Sequence, residues 1–293
     1  MSAALLAFAI AQASDSYLLP IGDRTPIAVG LGVTSMVTGR PSTVDEVAAD
    51  AAGIRYVLVG ESHDSPDHHR FQADVIAALV RRGRQVMVGF EMFTRPNQPN
   101  LAPYTLGRWS EAEFIERSNW KTEWGFPFPI YKPIFDVVRE NRLPMVALNV
   151  PRDWVRAVGR GGASALTREQ ASWVGDLDLG NRDHRMIFDS LMGGHPPSGT
   201  QGQNIYSAQV LWDEAMAQSA IEAMAPSTNP RRVMVIVAGS GHVMYGQGIG
   251  YRITRRTGEP TLTVTCIDSS GPRQVSRSLG QWVFVSPPPP RSN

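Results

Sequence analysis

The sequence of 293 residues contains one cysteine, Cys266, which excludes an internal disulfide and a cysteine-rich zinc site. Cys266 lies in "TLTVTCID", an alternating pattern typical of a strand, so we interpret it as a buried, unreactive thiol. The net charge is only +1 and no run of basic residues is present, so nothing favours nucleic acid as a partner. With 42% hydrophobic and 19% charged residues, the composition is that of a globular domain.

Three familiar catalytic motifs are also missing. The sequence has no HExxH zinc motif and no GxSxG nucleophile elbow. The "GSGH" segment at 239–242 lacks the lysine and the glycine spacing of a phosphate-binding loop. Any site must therefore be sought in residues that are distant in the sequence.

The two ends of the chain differ in character from the rest. Residues 1–14 are apolar from Ala3 to Ala11 and resemble the remnant of a secretory signal, although no basic residue precedes them. The alternative is a disordered or strand-forming N-terminus. No cysteine follows this segment, so membrane anchoring through a lipid is not supported. Residues 286–293 predict a disordered proline-rich tail, which leaves one α/β domain at 40–285.

Alternating strands and helices predict an α/β fold with a mainly parallel central sheet flanked by helices. Most of the predicted strands are nearly continuous aliphatic runs, which indicates burial on both faces. Helical patterns occur at 65–83, 129–141 and 204–225, and residues 151–203 predict a small, mainly helical insertion over the carboxyl ends of the strands. The predicted strands are Arg55–Glu61, Gln85–Glu91, Pro144–Val150, Val233–Gly239 and Thr261–Asp268.

Polar residues follow four of these strands. Because ligand sites in parallel α/β sheets form outside the carboxyl ends of the strands, we expect these residues to line one crevice. They are Glu61 and His63 after the first strand, Glu91 after the second, Asn149 and Arg152 after the third, and Gly239, Gly241 and His242 after the fourth.

The remaining histidines and an aromatic segment allow more than one interpretation. His68 and His69 are expected to face solvent on the first turn of a helix, whereas His184 and His195 either line a lid or lie on the surface. Residues 119–133, "NWKTEWGFPFPIYKP", show no helical period. They either form a rigid aromatic ligand surface or cover the sheet as a satellite of the core.

Several motifs, in this order, resemble the ChaN-like haem-binding lipoproteins. They are "LVGESHDSPDHHRFQ", "GFEMF", "WGFPFPIYKPIFD", "NRLPMVALNVPR", "AQVLWDEAMAQS" and "AGSGHVMYGQGI". This family lies within a superfamily that includes TIKI and TraB-type proteins and erythromycin esterases. The resemblance implies haem binding in bacterial iron uptake, with a periplasmic or cell-envelope location. It also implies a tyrosine ligand to the iron and two haems stacked in a homodimer, with a histidine and a basic residue from the partner at the propionates.

The tyrosine that the resemblance implies has three candidates here. Tyr245 follows "GSGHVM" beside the predicted crevice and is the first choice, ahead of Tyr206 and Tyr131. A phenolate favours Fe(III), so the haem is expected to be ferric. Arg252 or Lys132 could pair with a propionate through a charge-assisted contact.

A hydrolase is the alternative function. Glu61, His63, Glu91 and His242 are its candidate catalytic residues. Either a divalent metal binds to His63, Glu91 and His242, or His63 acts as a general base that Glu91 orients. In a third interpretation, the polar strand ends form only a structural network.

Overall fold

The computed structural model describes residues 15–193 and 197–290. The predicted signal remnant at 1–14 and His195 lie outside these ranges. The strands within them are β1 (Pro26–Val29), β2 (Gly32–Ser35), β3 (Arg40–Ser42), β4 (Tyr56–Val59), β5 (Gln85–Thr94), β6 (Met145–Asn149), β7 (Arg232–Val237), β8 (Thr261–Asp268), β9 (Arg273–Ser276) and β10 (Trp282–Ser286).

The helices surround these strands in sequence. They are α1 (Val44–Asp50), α2 (Pro66–Arg81), α3 (Ala102–Thr105), α4 (Glu111–Arg117), α5 (Trp120–Glu123), α6 (Phe128–Glu140), α7 (Arg152–Gly161), α8 (Arg168–Val174), α9 (Arg182–Leu191), α10 (Gly199–Met224) and α11 (Ile249–Thr257). None of these described helices is long and apolar enough to cross a membrane.

A mainly parallel sheet forms the centre of the fold, as predicted. Its strand order is β3-β2-β10-β8-β4-β7-β5-β6. The five predicted strands correspond to β4 to β8 and pair in parallel, and β10 extends them in parallel beside β8. β2 and β3 add an antiparallel end, and β1 pairs with β9 in a separate two-stranded sheet.

The predicted domain start at residue 40 is wrong, because β2 is hydrogen-bonded to β10 inside the large sheet. The strands that the sequence prediction missed contain three to five residues each. Runs this short carry little periodicity.

Side chains of the sheet alternate between two helical layers. Val57 and Val59 of β4 pack in the core formed with α1, α2 and α6. Tyr56 and Leu58 point the other way, into the core formed with α10 and α11. This burial on both faces explains the unbroken aliphatic runs of the central strands. Cys266 is buried in the first of these cores, as predicted, and burial raises the pKa of its thiol.

The helical insertion lies near the carboxyl ends of the strands. It contains α7, α8 and α9, and α7 packs along α10. α9 contacts the turn at Ser240–His242, which follows β7. The insertion therefore encloses the edge of the sheet where the polar residues collect.

Candidate functional site

Glu61 is the centre of a buried cluster just beyond β4. Its side chain is 0% exposed. Oε1 lies 2.7 Å from His63 Nδ1 and 2.9 Å from the Tyr131 hydroxyl, and Oε2 lies 3.0 Å from His69 Nε2. Burial alone would raise the pKa of Glu61, but hydrogen bonds with His63 and His69 outweigh it and lower the pKa to about 2. Glu61 is therefore an ionised carboxylate that fixes the His63 ring.

Glu91 begins a second cluster on the opposite face of the sheet. Its Oε2 accepts a hydrogen bond of 2.7 Å from Gly239 N, and its Oε1 lies 3.4 Å from His242 Nε2. His242 Nδ1 lies 2.7 Å from Asp213 Oδ1, and His184 Nε2 lies 2.8 Å from Asp213 Oδ2. Burial opposes the charged form of His242, but Glu91 and Asp213 outweigh it and raise the pKa to about 10.

The two clusters meet at Gly239. A Cβ atom added there would lie 2.8 Å from His63 Cε1 and 3.7 Å from Glu91 Oε2. The structure thus brings together Glu61, His63, Glu91 and His242 at the carboxyl ends of β4, β5 and β7. Burial works against the charged form of His63, but Glu61 and the charge of Glu91 raise its pKa.

A cleft of about 510 Å³ opens over this meeting point. His63 is 34% exposed and stands edge-on to Trp124, with ring centroids 4.7 Å apart. Asn149 donates to the Glu91 carbonyl oxygen and so fixes β6 against β5. The lining consists of His63, Glu91, Met92, Thr94, Glu123, Trp124, Phe126, Asn149, Val150, Arg152, Val155, Arg156 and Trp212.

The prediction that His68 and His69 face solvent is wrong, because the first turn of α2 is enclosed in the structure. Both residues are 0% exposed. His68 Nδ1 accepts a hydrogen bond from Ser62 N, and burial lowers the His68 pKa. His69 stacks on Tyr131, with ring centroids 3.7 Å apart. His69 therefore contacts Glu61 directly, and His68 holds the backbone of the next residue, Ser62.

His184 is also buried rather than on the surface, because Asp213 and Tyr206 bind its two ring nitrogens. Sequence reasoning missed Asp213 and Glu214, which are 0% exposed on α10. Two adjacent acidic residues in an otherwise apolar helical stretch, "AQVLWDEAMA", were the available signal. Arg252, also 0% exposed, approaches Glu214 within 3.0 Å.

The three candidate tyrosines occupy different environments. Tyr131 is 0% exposed beside Glu61, and Tyr206 is 1% exposed beside His184. Tyr245 lines a separate cavity of about 630 Å³. Its hydroxyl donates to the Ser16 carbonyl oxygen and accepts a hydrogen bond of 2.9 Å from Leu19 N.

The two predicted basic partners of a propionate differ in exposure. The Arg252 guanidinium is enclosed with Glu214, whereas Lys132 is 44% exposed between Glu111 and Asp136. Among the described residues, no group of three or more histidine, cysteine, aspartate or glutamate side chains is placed to hold a metal ion. A metal at His63, Glu91 and His242 stays a prediction.

The aromatic segment at 119–133 is mostly helical, although its sequence shows no helical period. It contains α5 and the first residues of α6. Trp120 and Phe128 are buried in the core, whereas Trp124 and Phe126 line the cleft. Trp120 and Phe128 therefore fit the interpretation as core, and a ligand surface at Trp124 and Phe126 stays a prediction.

The fold is a three-layered α/β domain with a polar cleft at the strand ends. A family model described as "Haem-binding uptake, Tiki superfamily, ChaN" matches residues 47–253, and the chain belongs to this family. The resemblance seen in the motifs is thus confirmed. None of the curated proteins matches the sequence.

A solved structure supports the assignment of the fold. The chain is similar to a structure described as "Cofacial heme binding to ChaN of Campylobacter jejuni", with a TM-score of 0.68, 18% identity, and coverage of 87% of this chain and 96% of that chain. An erythromycin esterase, EreC, gives a TM-score of 0.45 and 14% identity, with coverage of 81% and 76%. RRSP, a toxin effector domain from Vibrio vulnificus, gives a TM-score of 0.42 and 19% identity, with coverage of 85% of this chain and 40% of that chain.

Proposed function

We propose that the chain binds ferric haem through Tyr245 in haem uptake at the bacterial cell envelope, and that two haem-loaded copies form a dimer. Membership of the haem-binding uptake family supports the ligand. The observation that carries the choice of residue is the position of Tyr245. It lines a surface cavity, whereas Tyr131 and Tyr206 are enclosed by the buried clusters.

The surroundings of Tyr245 suit a phenolate in part. Burial raises its pKa to about 12, so the free protein holds a neutral phenol. Tyr245 would hold the iron as a phenolate after losing its proton to solvent, and the Ser16 carbonyl oxygen would then have no donor from this side chain. The Leu19 N–H would remain in place to stabilise the anionic oxygen, because it already donates to that atom. Bound haem would supply a hard Fe(III) centre for this oxygen ligand.

The cavity around Tyr245 also offers apolar and cationic surface. Ile21, Met36 and Val37 line it, and Val37 is 73% exposed. Arg277 lines the same cavity and is our choice for a propionate partner, because Arg252 is enclosed. Without haem, its guanidinium donates to the carbonyl oxygens of Met36 and Val37 and lies 3.4 Å from Asp23. A second haem-loaded copy could cover the outer haem face, so dimerisation and haem binding would be thermodynamically linked.

Hemin titration tests this assignment. Tyr245→Phe should lose the high-spin ferric charge-transfer band and bind hemin at least about tenfold more weakly, by ~1.4 kcal/mol or more. Tyr131→Phe, Tyr206→Phe and the control Tyr251→Phe should keep the unmodified spectrum. Sedimentation should show a dimer only with hemin. An unchanged spectrum in Tyr245→Phe would disprove the ligand, and a bis-histidine spectrum would relocate the site to His63 or His242.

A second candidate function is hydrolysis in the strand-end cleft. The observation that favours it is a partly exposed imidazole, His63, whose Nδ1 is held by a buried carboxylate while Nε2 is left for acid–base work. No serine or cysteine lines the cleft within the described residues, and the Thr94 hydroxyl donates to Glu123, so water is the proposed nucleophile. His63 would take a proton from water as the oxygen attacks the carbonyl carbon, and return it to the leaving oxygen when the ester bond breaks.

A panel of 4-nitrophenyl esters and peptides tests the hydrolase. His63→Gln should abolish turnover, with circular dichroism as the check on folding, because His63 also contacts the buried Glu61. Activity that survives EDTA would support the imidazole base. Activity that disappears with EDTA and returns with zinc or manganese would support the metal alternative. No turnover by the unmodified protein, with or without metal, would reject this second function.

A further inference from the structure

Two arginines at the start of α7 stand at the cleft. Arg152 Nη2 donates to the carbonyl oxygens of Glu123 and Trp124, at 2.6 and 3.4 Å. Arg156 lies one turn later on the same helix, and both residues are exposed. In the described part of the chain, neither guanidinium lies within ion-pair distance of a carboxylate.

The carboxylates that line the cleft do not cancel these charges. Glu91 is balanced by His242, and it also accepts the Gly239 N–H. Glu123 accepts a hydrogen bond from the Thr94 hydroxyl and has no cationic partner among the described residues. Two guanidinium charges therefore stand against one unpaired carboxylate.

Aromatic surface occupies the same cleft. Trp124 and Phe126 flank His63, with ring centroids 4.7 and 5.4 Å from its imidazole, and Trp212 lines the cleft as well. An apolar body could contact these rings, while a charged group on it reaches the start of α7. The cleft thus joins three recognition elements: an imidazole, an aromatic wall and a pair of cations.

We propose that the cleft binds an anionic amphipathic ester, with Arg156 and Arg152 on its carboxylate or phosphate group and the aromatic wall on its apolar body. The proposal rests on the hydrolytic function proposed for His63 and names its substrate class. The planar guanidinium suits both carboxylate and phosphate, because it can donate two parallel hydrogen bonds to either group.

Binding can be measured apart from catalysis. The full chain would be titrated with 2-naphthoate, 2-naphthyl phosphate and the neutral 2-naphthamide, with tryptophan fluorescence as the signal. We expect both anions to bind at least fivefold more tightly than the amide, and the difference to shrink as salt rises. The stronger of the two anions identifies the preferred charged group.

Variants of one helix test the role of the arginines. Arg156→Gln should weaken naphthoate binding about fivefold to tenfold and leave naphthamide binding unchanged. Arg152→Gln should act in the same direction, with circular dichroism as the check on folding, because Arg152 also binds backbone carbonyls. Arg160→Gln is the matched control. It removes the same charge from an exposed position on α7 that does not line the cleft.

The outcomes separate this inference from the hydrolase. Equal affinity for naphthoate and naphthamide would overturn anion recognition, and so would an equal loss in Arg156→Gln and Arg160→Gln. Selective binding without ester turnover would leave anion recognition standing and reject the hydrolase. If esters are hydrolysed, 4-nitrophenyl hemisuccinate should have a lower KM than 4-nitrophenyl butyrate, and Arg156→Gln should remove that preference.

Discussion

Replacement of Asp213 by asparagine should lower the free energy of unfolding by about 3–5 kcal/mol, the cost of breaking a buried ion pair. Asp213 is 0% exposed, and its two oxygens lie 2.7 and 2.8 Å from nitrogens of His242 and His184. Asparagine keeps one acceptor oxygen and turns an N–H group toward the second imidazole. One N–H would then lose its acceptor, and the buried cations His242 and Arg252 would lose a nearby anion.

Urea unfolding at pH 7 measures this difference. Asp189→Asn is a matched control, because Asp189 also pairs with a cation but is 35% exposed. An exposed ion pair between residues four apart on a helix, such as Arg185 and Asp189, contributes only ~0.3–0.5 kcal/mol to the free energy of unfolding. A loss below about 1 kcal/mol in Asp213→Asn would refute our account of the buried cluster as a set of mutually dependent charges.

The pH dependence of the free energy of unfolding tests the same cluster independently. The His242 pKa is raised to about 10 from an ordinary 6.5. Its contribution to the free energy of unfolding is therefore fully present below pH 6.5 and is lost as pH rises toward 10. Asp213→Asn removes one of the two carboxylates that raise this pKa. The His242 contribution should then be smaller and should be lost at lower pH. Histidine NMR titration would show the change directly.

Three further predictions concern other parts of the site. Glu61→Gln should lower the free energy of unfolding at neutral pH, and urea unfolding should show the deficit shrinking from about pH 4.5 to 2, because the folded carboxylate titrates near pH 2. An unchanging deficit would contradict this. Gly239→Ala should displace the His63 ring, since the added carbon would lie 2.8 Å from Cε1, and unaltered His63 NMR shifts would contradict the packing. Lys132→Ala should change stability by less than ~1 kcal/mol in thermal unfolding, because its ion pairs are exposed, and a larger loss would show an unrecognised role.

The sequence predicted the centre of the fold well because burial on both faces leaves a strong signal. The runs that became β4 and β7 contain almost only aliphatic residues, and their ends located Glu61 and His242. Because these residues follow parallel strands, we could predict that they lie close together although they are distant in the sequence. That argument depends only on the parallel direction of the strands.

Other features depend on tertiary packing that local patterns do not encode. His68 and His69 occupy the first turn of α2, where a sequence pattern gives no reason to expect burial. Arg252 was a candidate partner for a propionate, yet it is enclosed with Glu214 of a distant helix. The aromatic block hid α5, because a helix of four residues shows little periodicity.

The position of the last strand has a consequence for how the chain completes its fold. β10 lies between β8 and β2, so the β2–β3 pair joins the large sheet through residues about 250 positions later. During synthesis the N-terminal strands must wait for nearly the whole chain before they gain these partners. Contacts so far apart in sequence form slowly, and unpaired strand edges bind other extended chains. The newly made N-terminal region should therefore remain open to chaperones until Trp282–Ser286 emerges.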